Sequence, residues 1–119
     1  MRYVMLIHVS EETVMNMTDE ERGTYFQEYG VFHEDVNKRG IWDGGAPLQP
    51  IANTTTVKIR DGETIITDGP FAETKEQLAG VYILHCDNLD EAIELAKKMP
   101  DAKLGAIEIR PAFEKEHYD

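Results

Sequence analysis

An α+β fold of the split βαβ kind is predicted by three features of this 119-residue sequence. Strand-like and helix-like segments follow in the order strand, helix, strand, hairpin, strand, helix, strand. Two of the strands, "RYVMLIHV" and "LAGVYILHC", are apolar on both faces, as central strands covered twice must be. Both helices carry explicit start and stop signals. That order fits a ferredoxin-like arrangement with an extra β-hairpin, two helices lying on one face of the sheet.

Each element has its own local reason. In Arg2 to Val9, Tyr3, Met5, Ile7 and Val9 face one side while Val4, Leu6 and His8 face the other. "TDEE" at Thr18–Glu21 has the form of a capping box, with Thr18 as N-cap and Glu21 reaching back. The helix it starts places Tyr25, Tyr29, Phe32 and Val36 at helical spacing with Phe26 beside them, and Gly40 is its stop. "IWDGGAPLQP" reads as a short strand broken by Gly44-Gly45 and two prolines. A glycine pair can form an anion-binding nest. With no helix start behind it and no phosphate-loop pattern, Gly44-Gly45 reads as a bend.

"TTTVKIRDGETIIT" holds two β-rich runs flanking Asp61-Gly62, the dipeptide of a type I′ hairpin turn. Asn88 caps the second helix, whose apolar face is expected to be Leu89, Ala92, Ile93, Ala96 and Met99, with Pro100 ending it. In the last strand Ile107 and Ile109 share one face, and Glu108 and Arg110 the other.

The length corresponds to one domain, residues 1–119, with a core that needs no staples. The net charge of −11, from 23 acids against 12 bases, repels phosphate backbones, and no Lys/Arg cluster offers a local exception, so nucleic-acid binding is not expected. No apolar run reaches the roughly 20 residues of a membrane span. The apolar N-terminus has strand length and no cleavage site, so a cytoplasmic protein is expected. Cys86 has no partner for a disulfide and reads as a buried, inert thiol. His8, His33, His85 and His117 show no metal-ligand spacing, and neither metal nor cofactor is expected.

Two helices cover one face of a sheet, yet both central strands are apolar on both. The uncovered face calls for a second copy, sheet against sheet, in a two-fold homodimer, with a small organic ligand held in the pocket between sheet and loops.

The run "DGPFAETKEQLAGVYIL" resembles the DGPF group of the YCII-related proteins. The likeness extends through "MRYVMLI", "VKIRDGETIITDGPFAETKEQLAG", "DEAIELAKKMP" and "IEIRP", nearly the whole chain. It implies a dimeric α+β barrel. It also implies either chemistry on small cyclic organic compounds, such as dehydrochlorination of a chlorinated hydroquinone, or an accessory role beside an extracytoplasmic-function sigma factor. The better-known branch of the family is thought to use a His–Asp pair, its His eleven residues before the glycine ending the first helix. Counted back from Gly40, that position holds Tyr29, and the branch's Asp falls near Val9 or Ser10, so the pair is absent here.

The candidate site residues divide into a loop, a helix and a strand. Asp68-Gly69-Pro70-Phe71 makes a turn in which Asp68 caps itself, Gly69 supplies an unusual backbone angle, Pro70 restricts it and Phe71 anchors it in the core. Glu73 and Lys75, directly after, make the same segment a candidate ligand loop. On the first helix, His33 is either a half-buried structural histidine or a general acid–base, and Tyr29 either core or a donor to a ligand oxygen. Arg110 shares a strand face with Glu108, where an ion pair has a structural role. His8 and His85, on the two central strands, are expected as neutral core residues lining the sheet.

Three functional readings follow. One is a small-molecule enzyme doing cofactor-free acid–base chemistry between the Asp68–Phe71 loop and the first helix, with His33 and Asp68 as catalytic candidates. Another is a non-catalytic ligand-binding or regulatory protein. The third is a dimeric domain without a small ligand.

Overall fold

The computed structural model describes residues 1–117. In chain order the elements are β1 (Arg2–Val9), α1 (Glu11–Met15), α2 (Asp19–Lys38), β2 (Trp42–Pro47), β3 (Thr55–Arg60) and β4 (Glu63–Asp68). They continue with β5 (Gln77–His85), α3 (Leu89–Ala96), α4 (Asp101–Leu104) and β6 (Ala106–Pro111). Four strands form one antiparallel sheet in the order β2-β5-β1-β6, while β3 and β4 pair with each other as a separate hairpin. The two strands read as apolar on both faces are the two central ones. This is the predicted split βαβ order, with the hairpin inserted between β2 and β5.

The helix signals act as read. Thr18 Oγ1 accepts from the Glu21 amide at 3.1 Å, and Glu21 Oε1 accepts from the Thr18 amide at 3.0 Å, so two otherwise orphaned donors of α2 are satisfied. Gly40, at φ 71°, turns the chain out of the helix. Asn88 Oδ1 accepts from the Glu91 amide at 2.9 Å and starts α3. The buried stripe of α3 is Ala92, Leu95 and Ala96, continued by Met99, whereas Leu89 and Ile93, expected there, are 50% and 37% exposed. Ala92, Leu95, Ala96 and Met99 are themselves spaced i, i+3, i+4, i+7, so the helical period holds and the stripe is rotated toward Leu95, which takes the inward place expected for Leu89 and Ile93. Pro100 then opens the short α4, which, like α1, has too few residues to leave a periodic pattern.

Tyr3, Met5 and Ile7 of β1 and Leu84 of β5 pack against Phe32 and Val36 of α2 and Leu95 and Met99. Cys86, 3% exposed, joins this core, and burial pushes its thiol up from the ordinary value. The opposite sheet face carries Val4, Leu6, Val81 and Ile83, all half-buried. Ion pairs flank this strip. His8 Nε2 lies 3.1 Å from Glu108 Oε1, and Asp43 meets His85 at 3.4 Å and Arg2 at 3.6 Å.

Several expectations are corrected here. His8 and His85 are not core residues: both belong to the open face, at opposite ends, because β1 pairs antiparallel with β5 and sets His85 against Arg2. Glu108 takes His8 as its partner, and Arg110, in register with Val4, is exposed and forms no ion pair among the described residues. Gly44-Gly45 does not break the chain. β2 runs through it with a bulge between Trp42 and Gly44, and a Cβ on Gly45 would lie 2.1 Å from the Val81 carbonyl oxygen. Glycine there lets β2 close on β5.

Asp61 and Gly62, at φ 52° and 79°, make the β3–β4 turn as predicted. Val57, Ile59 and Ile66 share one face of this hairpin, each more than 60% exposed. No helix among the described residues is long and apolar enough to cross a membrane.

Candidate functional site

Helix α2, strand β2, strand β5 and the start of α4 enclose a cavity of about 270 Å³. Its walls are mainly aromatic: Tyr25, Phe26 and Tyr29 from α2, Trp42 from β2 and Tyr82 from β5. The helical spacing that carries Phe32 and Val36 into the core carries Tyr25 and Tyr29 onto the adjoining flank, where their ring centroids lie 5.3 Å apart, edge to face.

Two polar groups interrupt these walls. The first is built on Asp101, 1% exposed, at the start of α4. Its Oδ2 accepts from Tyr29 Oη at 2.6 Å and from Tyr25 Oη at 2.7 Å, while its enclosed Oδ1 has no hydrogen-bond partner among the described residues. The structure brings these groups together from positions 72 and 76 residues apart. Burial, and then the bonds to Asp101, push both phenols far above their ordinary range, so they remain neutral donors. The second group is His33, whose Nδ1 lies 3.3 Å from Tyr82 Oη and whose ring meets Trp42 edge to face at 5.0 Å. Burial raises the Tyr82 phenol as well. With the phenols held neutral, the cavity's acid–base groups are the Asp101 carboxyl and the His33 imidazole.

Of the residues predicted from sequence, Tyr29 and His33 line this cavity. The Tyr29 hydroxyl, expected either in the core or as a donor to a ligand, finds the Asp101 carboxylate. The loop after β4 lies elsewhere. Pro70 and Phe71 border a second, wider cavity of about 660 Å³, formed with the Leu48–Thr54 segment, His8 and Leu78. Asp68, Gly69, Glu73, Lys75 and Arg110 line neither of these cavities. A single pocket between the loop and the first helix is therefore not what forms.

Asp68 does not cap its own turn. The loop is held by its backbone, with the Gly69 amide donating to Thr54 O at 2.8 Å and Thr56 Oγ1 donating to Gly69 O at 2.7 Å. Phe71 is 82% exposed and anchors nothing in the core. Lys75 is exposed and has no ion-pair partner among the described residues.

Asp101 was not legible as a site residue, because it follows a helix-ending proline and belongs to no periodic pattern. Trp42 and Tyr82 read as ordinary strand residues. The one available signal was Tyr29 itself, a tyrosine on the core stripe whose hydroxyl needs a partner.

The model of the YCII-related domain matches residues 1–116. An uncharacterised protein of Rhizobium meliloti (strain 1021) is 34% identical over 113 residues, 93% of this chain and 91% of the relative. Among solved structures, the chain is similar to a 5-chloro-2-hydroxyhydroquinone dehydrochlorinase from Burkholderia phenoliruptrix AC1100 in complex with 2,5-dihydroxybenzoquinone. The TM-score is 0.56 at 13% identity, with all of both chains covered, which is a likeness of fold. The sheet order, the matched span and the uncharacterised relative agree: the chain belongs to the YCII-related family.

Proposed function

We propose that the aromatic cavity beside α2 binds a small cyclic organic molecule, with Asp101 as the acceptor that orients it. The observation carrying this reading is the buried carboxylate, which takes two tyrosine hydroxyls on one oxygen and leaves the other without a donor. A buried polar atom without a partner costs about 1–3 kcal/mol, and such atoms call for an explanation. A ring seated among Tyr29, Trp42 and Tyr82 would present a polar substituent to Asp101, which lines the same cavity. Mostly apolar walls with two orienting polar groups are the build of a binding pocket. The quinone bound by the dehydrochlorinase of like fold supports a ring of this size.

Catalysis would use the same groups without a cofactor: Asp101 withdraws a proton from the ligand, and His33, poised by Tyr82, returns one. The test is calorimetric titration with 2,5-dihydroxybenzoquinone and related phenols, repeated on Asp101→Asn, His33→Ala and Asp68→Ala. Binding lost in Asp101→Asn and kept in Asp68→Ala is expected. Binding that survives Asp101→Asn and fails in Asp68→Ala would move the site to the loop.

The open strip of Val4, Leu6, Val81 and Ile83 supports a homodimer with sheet facing sheet. Light scattering at micromolar concentration tests it, and a monomer there contradicts it. A regulatory reading, with a sigma factor as partner, needs an apolar surface outside that interface. The exposed hairpin face of Val57, Ile59 and Ile66 is the surface that favours it.

A further inference from the structure

We infer that the ligand of the aromatic cavity carries a cationic amine, held against Asp101 with the surrounding rings as its cage. The inference rests on the cavity being a ligand site and specifies the polar group that the ligand brings there. Three observations carry it. Asp101 is almost completely enclosed, yet it forms no ion pair among the described residues. No Lys or Arg lines the cavity, and its one histidine, His33, is engaged with Tyr82. Buried carboxylates are ordinarily paired with a cation, because removing the charge from water is costly.

The two tyrosine hydroxyls supply hydrogen bonds but no charge, and they leave Oδ1 without a donor. A neutral hydroxyl from the ligand would satisfy that oxygen and still leave the negative charge unpaired. An ammonium group would do both. The walls favour it too, since the faces of Trp, Tyr and Phe rings attract cations, most strongly where water is excluded. Phe26, 61% exposed, places one such ring where solvent can reach the cavity.

Benzylammonium and benzyl alcohol have nearly the same shape and differ in this charge, so the experiment compares them by calorimetric titration at neutral pH. The ammonium is expected to bind roughly tenfold tighter, the difference between a charge-assisted and a neutral hydrogen bond. In Asp101→Asn, which keeps an acceptor for both tyrosines, that preference should vanish. Equal affinities in the unmodified protein overturn the inference and leave the cavity reading intact. An ammonium preference that survives Asp101→Asn also overturns it, since the net charge of −11 would then be acting from the surface. If neither compound nor 2,5-dihydroxybenzoquinone binds, the cavity reading falls and the inference falls with it.

Discussion

Removing the Tyr29 hydroxyl by Tyr29→Phe tests whether Asp101 is held by charge-assisted bonds. The phenol donates to Asp101 Oδ2 at 2.6 Å, and the neighbouring Oδ1 has no partner among the described residues. A hydrogen bond to a charged acceptor contributes about 1.5–3 kcal/mol, so Tyr29→Phe should destabilise by about 2 kcal/mol. For a chain of this length that corresponds to a fall in Tm of about 8 °C. Asp101→Asn should cost less than about 1 kcal/mol, because losing a desolvated charge offsets the weaker bonds it leaves. In that background the Tyr29 bond is neutral, and the same deletion should cost only about 1 kcal/mol. The double-mutant cycle therefore predicts a coupling of about 1 kcal/mol, measured by urea unfolding with constant m values. Additivity within about 0.5 kcal/mol would refute the charge-assisted bond and remove the ground for treating Asp101 as an orienting group.

Three further outcomes follow from the same structure. Tyr25 and Tyr29 have raised folded-state pKa values, so the stability they contribute is complete below the unfolded value near 10 and is lost as pH rises above it. Thermal melts between about pH 9 and 11 should fall more steeply for the natural sequence than for Tyr25→Phe/Tyr29→Phe, and parallel slopes would count against the assignment. Thr18→Ala breaks the capping box of α2 and should cost about 1 kcal/mol by urea unfolding, whereas no measurable change would mean that the cap is dispensable. Gly45→Ala drives a Cβ into the Val81 carbonyl at a backbone φ of 134°, and a loss of at least about 2 kcal/mol is expected. A melting temperature unchanged in that variant would show that β2 can shift without cost.

What the sequence disclosed follows from the range over which each signal acts. Caps, the Asp61-Gly62 turn and the two-sided apolar strands are written in neighbouring residues, and with them the fold class was readable. The α3 face was placed in part: Ala92, Ala96 and Met99 go inward as read, but two stripes of the same helical period pass through them, and packing outside the helix selects Leu95 over Leu89 and Ile93. The candidate site was half readable. Tyr29 and His33 belong to the regular pattern of α2, but Asp101 reaches Tyr29 across 72 residues, through packing that no local motif encodes. The "DGPF" run identifies the family by sequence, yet its structural role is a turn tied through Gly69 to Thr54 and Thr56. A distinctive motif and a chemical site need not coincide.

The cavity depends on a feature that looked like an interruption. Its outer wall is β2, and β2 can lie against β5 only because position 45 has no side chain to meet Val81. The bulge beside it shifts the register between Trp42 and Gly44, and Trp42 there stands edge to face with His33. On the other side, α2 presents Tyr25 and Tyr29, whose hydroxyls both donate to Asp101 at the start of α4. Replacing Asp101 with leucine would remove a desolvated charge but leave the hydroxyls of Tyr25 and Tyr29 without their shared acceptor. The two hydrogen bonds thus give the carboxylate a structural role, while its second oxygen is not used by them. That unused oxygen makes Asp101, more than any residue of the "DGPF" loop, the position on which tests of the proposed ligand site should turn.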